Sequence, residues 1–223
     1  MPGPAFAAVL LDIDGTLVDS NYLHIEAWSR AFADVGAPVA AWRIHRCMGM
    51  DSAKLLDALL GDGVERFGDE AKAKHSEYYL AMADRLRPFE DAQDLLRTLA
   101  ARGFRVVLAT SAPAEEFALL QRTLQVDDAI AEYTTSEDVG QAKPAPDIVE
   151  VALQRAGVAA EEAIMVGDAV WDVDAARRSG VPTIGLRSGG VSAAELQEAG
   201  AVAVYEDPAQ LLRELDASPL ISA

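Results

Sequence analysis

The sequence predicts an α/β fold: a doubly wound, Rossmann-like parallel sheet with an inserted α-helical cap. Three observations support this prediction. Short apolar runs alternate with helical patterns along most of the chain. These runs lack polar alternation, which is typical of parallel strands covered by helices on both faces. One long stretch, residues 20–87, interrupts the alternation with helical patterns only.

Five apolar runs are predicted to be strands, and Tyr133–Ser136 is a weaker sixth candidate. The five are the run that ends at Asp12, then Phe104–Thr110, Ala163–Asp168, Val181–Leu186 and Ala201–Glu206. Helical patterns such as Asp91–Ala101 and Pro144–Ala156 separate them. Because right-handed crossovers leave ligands at the carboxyl ends of parallel strands, we expect the functional groups just after each run.

Residues 20–87 are predicted to form the helical cap, and residues 1–19 and 88–223 the α/β core. The segment is too long for a loop in a compact fold and contains about four helical stretches. Its first helix is predicted at Asn21–Val35 and its last at Val64–Arg87. The apolar stripes predicted on these two helices are Ile25, Trp28, Phe32 and Val35 on the first, and Phe67, Ala71, Tyr78 and Met82 on the last.

The charge of the chain excludes one class of partner. A formal charge of −17 argues against nucleic-acid binding, because a phosphate backbone is held by basic patches. The charge is also uneven, since residues 20–87 hold 10 acidic and 9 basic side chains against 26 and 10 in the remainder. An anionic substrate would therefore find its additional positive contacts in the inserted segment.

Cysteine content and hydropathy favour an ordinary globular protein. The apolar runs are far shorter than the roughly 20 residues that span a bilayer, and the N-terminus lacks a basic segment and a cleavage signature. We therefore expect a cytoplasmic protein with no membrane segment. The single cysteine, Cys47, excludes an intramolecular disulfide, and the three histidines are not spaced as in zinc motifs. The sequence carries no signal for an oligomeric state.

Asp12 and Asp14 lie two positions apart at the end of the first apolar run. Strand side chains alternate between faces, so both carboxylates project to the same side, and Gly15 can take a conformation closed to other residues. Two acids held together repel each other unless a cation lies between them. A bound cation offsets the repulsion and leaves one carboxylate able to act as a nucleophile.

Three more candidate sites follow predicted strands or begin helices. Thr110 and Ser111 offer a hydroxyl and an adjacent backbone N–H to a phosphoryl oxygen, although the same residues could simply begin a helix. Lys143 is a cation placed before a helix whose start is fixed by proline. Asp168 ends a predicted strand, and Asp172 lies one helical turn further on the same side.

Taken together, these motifs resemble those of the haloacid dehalogenase-like superfamily, in the same order and at plausible separations. The motifs that carry the resemblance are Asp12-Ile13-Asp14-Gly15-Thr16, the strand-ending Thr110, the pair Lys143-Pro144, and the stretch from Gly167-Asp168 to Asp172. The insertion after the first motif is similar to that of the helical-cap subclass, which includes phosphoglycolate phosphatase-like enzymes and β-phosphoglucomutase.

The resemblance implies a role for each motif residue. Asp12 would attack phosphorus and form an aspartyl-phosphate, and Asp14 would protonate the leaving alkoxide and later deprotonate the hydrolytic water. Mg²⁺ would be held by Asp12, by Asp168 and by the backbone carbonyl of Asp14, with Asp172 in or near its coordination shell. The remaining phosphoryl oxygens would be bound by Thr110, the Ser111 N–H and Lys143.

Two residues of the inserted segment, His24 and Arg46, are candidate substrate contacts. His24 lies on the same stripe as Trp28, so a histidine packed in the core is an equally open interpretation. Arg46 is one of several basic residues beside a Met48-Gly49-Met50 loop that would face the active site. Each of these basic residues could also be an ordinary solvated charge.

The function we predict is a magnesium-dependent phosphatase acting on a small phosphorylated metabolite, of the phosphoglycolate or sugar phosphate class. The alternative is a β-phosphoglucomutase-like mutase. Resemblance to such a mutase implies a lysine before the loop glycine and an arginine three residues after it, which help to hold the second phosphate of a bisphosphate intermediate. The loop Cys47–Ser52 has neither residue. Dehalogenases of the superfamily lack the second aspartate that Asp14 supplies. A non-enzymatic binding module would show erosion of at least one motif, and none is eroded.

Overall fold

In the computed structural model, which describes residues 6–138 and 147–221, the chain divides into two compact units. The first unit consists of Met1–Asp19 and Arg87–Ala223, and the second is Ser20–Leu86. Arg87, which the sequence analysis counted with the inserted segment, belongs to the first unit. Its carbonyl oxygen accepts the N–H of Asp19 at 2.9 Å, which joins the two crossing segments of the chain.

The first unit contains a parallel sheet. Its strands within the described ranges are β1 (Ala8–Leu11), β2 (Arg105–Ala109), β3 (Glu132–Thr134), β4 (Ala163–Gly167), β5 (Thr183–Leu186) and β6 (Ala203–Tyr205). Their order is β3-β2-β1-β4-β5-β6, and each pair is parallel. The order reverses between β1 and β4, as in a doubly wound fold. The predicted fold class is confirmed, and so is each predicted strand, including the weak candidate that became β3.

Helices make up the rest of the regular structure. In chain order, the second unit contains α1 (Asn21–Asp34), α2 (Ala41–His45), α3 (Ser52–Leu60) and α4 (Val64–Leu80), and the first unit contains α5 (Ala92–Ala101), α6 (Ala114–Leu124), α7 (Asp147–Ala156), α8 (Val170–Arg178), α9 (Ala193–Ala199) and α10 (Pro208–Arg213). The predicted helices that became α1 and α5 differ from the observed ones by a single residue at one end. The helix predicted at Pro144–Ala156 is α7, and its first three predicted residues lie outside the described ranges.

Three neighbouring strands, β1, β4 and β5, are buried along their whole length on both faces, which explains why they read as apolar runs without polar alternation. On one face, Leu10, Val107 and Met165 form a core with α7 and α8. Side chains alternate along a strand, so Val9 and Val106 point to the opposite face, and both are also buried. This double burial is what distinguishes a parallel sheet from an antiparallel sheet with one solvated face.

The central strands end at the same level. Leu11 of β1 is paired with Leu108 of β2 and with Val166 of β4. The residues that follow these three strands therefore emerge side by side at one edge of the sheet. This edge is where the sequence analysis expected the functional groups.

The second unit has its own apolar core. Ile25, Trp28 and Phe32 of α1 pack with residues of α2, α3 and α4, and the stripe predicted on α1 is confirmed. The other buried residues of this core are Ile44, Cys47, Met48, Leu55, Leu56, Leu59 and Ala71. Burial raises the pKa of the Cys47 thiol, while Arg43 and Arg46 oppose that shift.

The prediction for α4 was wrong at its end and on part of its stripe. The helix ends at Leu80 and not at Arg87, and a 3₁₀ turn at Ala83–Arg85 follows. Arg87 precedes Pro88, a position that disfavours helical backbone. The buried side of α4 is formed by Gly68, Ala71, His75 and Tyr79.

Among the described residues, the structure contains no helix that combines the length and the apolar character needed to cross a membrane.

Candidate active site

Three aspartates meet at the edge of the sheet where β1 and β4 end. Asp12 follows β1, and its N–H donates to the carbonyl of Val166 at 3.0 Å, which continues the pairing with β4 beyond the strand. Asp168 follows β4 directly, and Asp172 lies in the first turn of α8. All three side chains are buried. The parallel register brings together residues that are about 150 positions apart in the sequence.

The three carboxylates form a compact group suited to a hard cation. One oxygen each of Asp12, Asp168 and Asp172 lies within 4.8 Å of the other two. At an effective dielectric near 20, two carboxylates about 4 Å apart repel each other by about 4 kcal/mol. A divalent cation among them would offset this repulsion, and carboxylate oxygens are the donors that Mg²⁺ and Ca²⁺ take. The donor set therefore fits such an ion.

Asp14, the fourth residue predicted to hold the metal, is not in this carboxylate group. Its side chain is half-buried, just beyond Asp12 on the same chain segment. The contribution that the sequence analysis expected from it was the backbone carbonyl, and this stays a prediction. Its expected role as acid and base does not require membership in the group.

Asp172 is fixed by the end of β4. Its Oδ2 accepts the N–H of Ala169 at 3.0 Å, which anchors the carboxylate to the backbone at the start of α8. A Cβ added at Gly167 would lie 2.6 Å from the Cβ, Cγ and Oδ2 of Asp172. Only glycine therefore allows the carboxylate to lie against the last residue of the strand.

A tight turn follows β1. The carbonyl of Ile13 accepts three N–H groups, from Thr16, Leu17 and Val18, at 3.2, 2.8 and 3.0 Å. Gly15 has φ +77°, a left-handed conformation that costs other residues free energy, and this confirms the sequence-based expectation. The turn keeps Asp14 next to Asp12.

Sequence reasoning missed two hydroxyl groups that support this geometry. Thr16 Oγ1 donates to Asp168 Oδ1 at 2.9 Å, and Ser188 Oγ donates to the Gly15 carbonyl at 2.7 Å. Thr16 belongs to the first motif, but the sequence indicates no separate role for it. Ser188 could have been found only as a small polar residue that follows a predicted strand at the same edge of the sheet.

Thr110 follows β2 and is buried, as expected for a strand-ending residue. Its Oγ1 accepts the N–H of Ala112 at 3.1 Å, and its carbonyl accepts from Thr134 Oγ1 at 3.3 Å. A hydroxyl that accepts one hydrogen bond still has its own proton to donate. Ser111 is half-buried, and α6 begins after Pro113. Contact of Thr110 and Ser111 with a phosphoryl group stays a prediction.

Lys143, the predicted phosphate-binding cation, lies outside the described residues. Its role stays a prediction.

His24 lies in a stack of aromatic and imidazole rings inside the second unit. Its Nδ1 lies 3.0 Å from Nε2 of His75, and its ring stacks on Tyr79 at a centroid distance of 3.8 Å. His75 in turn stacks on Trp28 at 4.1 Å. Burial lowers the pKa of His75 well below its ordinary value, and His24 and Lys72 add to this shift. The packing interpretation of His24 thus has structural support, and its role as a substrate contact stays a prediction.

Arg46 is exposed and directly follows α2. In the same part of the second unit, the ring of His45 lies 5.4 Å from that of Tyr22. Contact of Arg46 with substrate also stays a prediction.

Known proteins resemble this chain over nearly its whole length. A phosphoglycolate phosphatase of Rhodospirillum rubrum is 32% identical over 214 residues, covering 92% of this chain and 88% of the relative. A phosphorylated carbohydrates phosphatase of Thermotoga maritima is 28% identical over 214 residues, covering 93% and 97%. The crystal structure of a hydrolase from Pseudomonas syringae superposes with a TM-score of 0.89 at 34% identity, covering 95% of this chain and 98% of the other.

A family model described as haloacid dehalogenase-like hydrolase matches residues 6–180. The match includes the β1 turn, the three clustered aspartates and the inserted unit. The chain belongs to the haloacid dehalogenase-like hydrolases.

Proposed function

We propose that this protein is a magnesium-dependent phosphatase that hydrolyses a small phosphorylated metabolite through an aspartyl-phosphate on Asp12. The observation that carries the proposal is the buried group of Asp12, Asp168 and Asp172 at the end of β1 and β4. The phosphatase names of the two relatives described above agree with this reaction class.

The group fits Mg²⁺ because it presents several carboxylate oxygens to one position. Asp12, Asp168 and Asp172 would hold the ion, with the Asp14 carbonyl as a further ligand. When bound, Mg²⁺ supplies positive charge that offsets the repulsion between these carboxylates and an anionic phosphate ester.

In the first half-reaction, an Asp12 oxygen attacks phosphorus in line with the leaving group. The bond from Asp12 to phosphorus forms as the bond to the leaving alkoxide breaks, and Asp14 gives its proton to that alkoxide. In the second half-reaction, Asp14 takes a proton from water. The resulting hydroxide attacks phosphorus, and the bond to Asp12 breaks. Inorganic phosphate leaves, and both aspartates return to their starting states.

Three further groups are proposed to bind the phosphoryl oxygens: the Thr110 hydroxyl, the Ser111 N–H and Lys143. The position of Thr110 after β2, in register with β1, supports its part in this role. His24 and Arg46 are proposed to contact the remainder of the substrate. The whole substrate is proposed to be a phosphate ester of the phosphoglycolate or sugar phosphate class, in line with the names of the two relatives.

The test is a panel of phosphorylated metabolites, with inorganic phosphate release measured in Mg²⁺ and after chelation by EDTA. We expect turnover of at least one ester with Mg²⁺ and none with EDTA, since the carboxylates then repel the substrate. Asp12→Asn, which keeps the shape of the side chain but removes its nucleophile, is the matched control for contaminating phosphatases. Full activity without a divalent ion, or in Asp12→Asn, would refute the proposal.

One arm of the same assay separates hydrolysis from the mutase reaction. A hexose 1-phosphate is supplied with a trace of the hexose bisphosphate, and both inorganic phosphate and hexose 6-phosphate are measured. We expect inorganic phosphate as the product. Preferential formation of the 6-phosphate would show a mutase.

A further inference from the structure

A hydrogen bond joins two loops that are far apart in the sequence. Ser188 lies in the 3₁₀ turn Arg187–Gly189 that follows β5, and its hydroxyl donates to the carbonyl of Gly15 at 2.7 Å. The two residues are 173 positions apart. Neither residue is a member of the carboxylate group, so the bond cannot act on a bound ion directly.

The peptide unit between Gly15 and Thr16 is held at both of its polar ends. Its N–H, which belongs to Thr16, donates to the Ile13 carbonyl at 3.2 Å. That carbonyl also accepts from Leu17 and Val18 at shorter distances, so its hold on the Thr16 N–H is the weakest of the three. The shorter bond from Ser188 fixes the other end of the same peptide plane.

Thr16 transmits this orientation to the carboxylate group. Its side chain starts from the peptide unit that Ser188 holds, and its Oγ1 donates to Asp168 Oδ1 at 2.9 Å. Thr16 is completely buried, so bulk solvent does not reach this contact. A rotation of the peptide unit would therefore move the donor away from Asp168.

The sheet fixes the other side of the connection. β5 pairs with β4 through Ile184 with Val166 and Gly185 with Gly167, and Asp168 follows β4 at once. Ser188 is thus anchored to the same strand that carries Asp168. The contacts therefore form a continuous path that starts and ends at β4. The path leads from β4 to β5 and Ser188, then through the Gly15 turn and Thr16 to Asp168.

We propose that Ser188 is a positioning residue for Asp168, acting through the Gly15–Thr16 peptide unit. This inference rests on the proposed function, in which Asp168 holds Mg²⁺. Ser188 is half-buried, so water can satisfy the Gly15 carbonyl when the hydroxyl is removed. The substitution Ser188→Ala therefore changes the orientation of the ligand more than it changes the stability of the fold.

The test measures Mg²⁺ binding by titration calorimetry without substrate, and kcat and KM at saturating Mg²⁺. We expect Ser188→Ala to raise the Mg²⁺ dissociation constant about 10-fold, as is usual when a group that orients a metal ligand is lost. We expect kcat to fall while KM stays nearly unchanged, because the proposed role of Ser188 is to orient Asp168 and not to bind substrate. Ser188→Thr, which keeps the hydroxyl, restores Mg²⁺ binding.

Ser192→Ala is the matched control, since it removes a serine hydroxyl that caps α9 in the same segment of the chain. Its Mg²⁺ dissociation constant should match that of the wild type. In a Thr16→Val background, Ser188→Ala should add little, because the connection is already broken. Wild-type Mg²⁺ affinity in Ser188→Ala, or an equal fold-change in both backgrounds, overturns the inference.

The two proposals fail in different ways. If the wild type binds Mg²⁺ but hydrolyses no phosphate ester, the proposed function fails and the calorimetric result for Ser188 still stands. If Ser188→Ala binds Mg²⁺ as the wild type does while hydrolysis is confirmed, only the role of Ser188 is refuted.

Discussion

Neutral hydrogen-bond donors help to position two carboxylates of the candidate site. Asp172 is held by the N–H of Ala169, and Asp168 accepts from the hydroxyl of Thr16. Neutral donors of this kind fix a carboxylate without removing its charge, so the group keeps its attraction for a cation. The absence of a side chain at Gly167 is part of the same arrangement, because that space is occupied by Asp172.

Gly167→Ala should therefore damage both the stability and the site. The added Cβ would lie 2.6 Å from Asp172, so the carboxylate must move. We expect the free energy of unfolding, measured by urea titration, to fall by about 1–3 kcal/mol. We also expect Mg²⁺ binding, measured by calorimetry, to weaken by at least about 10-fold.

Gly185→Ala is the control for this substitution. Gly185 is paired with Gly167 across the sheet, but a Cβ there would meet Leu196 at 3.0 Å and not a site residue. Gly185→Ala should lower the free energy of unfolding by an amount similar to that of Gly167→Ala. It should leave the Mg²⁺ dissociation constant within about twofold of the wild type. Equal loss of Mg²⁺ binding in both variants would show that general disorder, and not displacement of Asp172, is the cause.

At the scale of elements, α1 and α4 are joined by four stacked rings. The stack runs from Trp28 through His75 and His24 to Tyr79, with ring centroids 4.1, 5.2 and 3.8 Å apart. The two imidazoles also share a hydrogen bond within the stack. The apolar stripe predicted on α4 did not include His75, which stacking on Trp28 and His24 makes part of the buried face.

The stack predicts a pH dependence of stability. Burial lowers the pKa of His75 in the folded protein, so the folded state favours the neutral ring, while the unfolded chain binds a proton near the ordinary value of 6.5. The stabilisation from the neutral ring is complete above pH 6.5 and is lost as the pH falls below it. We expect the free energy of unfolding to decrease between about pH 7.5 and about pH 5.5, as measured by urea titration.

His75→Phe keeps a flat ring in the stack but cannot titrate. Every carboxylate is the same in both proteins, so the difference between their pH profiles reports on His75 and on the hydrogen bond that it shares with His24. We expect a flatter profile for the variant in this pH range. Parallel profiles would show that His75 does not contribute.

At the scale of the whole molecule, the negative charge is concentrated in one unit. The first unit contains 26 acidic and 11 basic side chains, against 10 and 8 in the second. Like charges at this density repel one another in the compact state, and salt screens that repulsion. Mg²⁺ should add a second, site-specific effect, since the proposed carboxylate site is assembled only in the folded state.

We expect KCl, raised from about 10 mM to about 150 mM, to increase the melting temperature by a few degrees. At equal ionic strength, MgCl₂ should increase it further in the wild type but not in Asp168→Asn, which lacks one carboxylate of the group. Melting curves followed by circular dichroism measure both effects. The same additional shift in both proteins would locate Mg²⁺ binding elsewhere.

The sequence by itself determined the fold class, the position of the strands along the chain, and three carboxylates that meet at the candidate site. These features depend on local patterns: apolar runs, turn glycines, and acids placed directly after strands. Asp12, Asp168 and Asp172 could be predicted together because parallel strands carry their following residues to one edge of a sheet.

Only the tertiary structure decided which neutral groups hold those carboxylates and which histidine is buried. The hydrogen bonds of Thr16 to Asp168 and of Ser188 to Gly15 join residues more than 150 positions apart, and no local pattern distinguishes such serines and threonines from solvated ones. The burial of His75 depends on the rings that α1 presents to it. Contacts of this kind are set by the register of strands and the packing of helices, which a residue's neighbours in sequence do not specify.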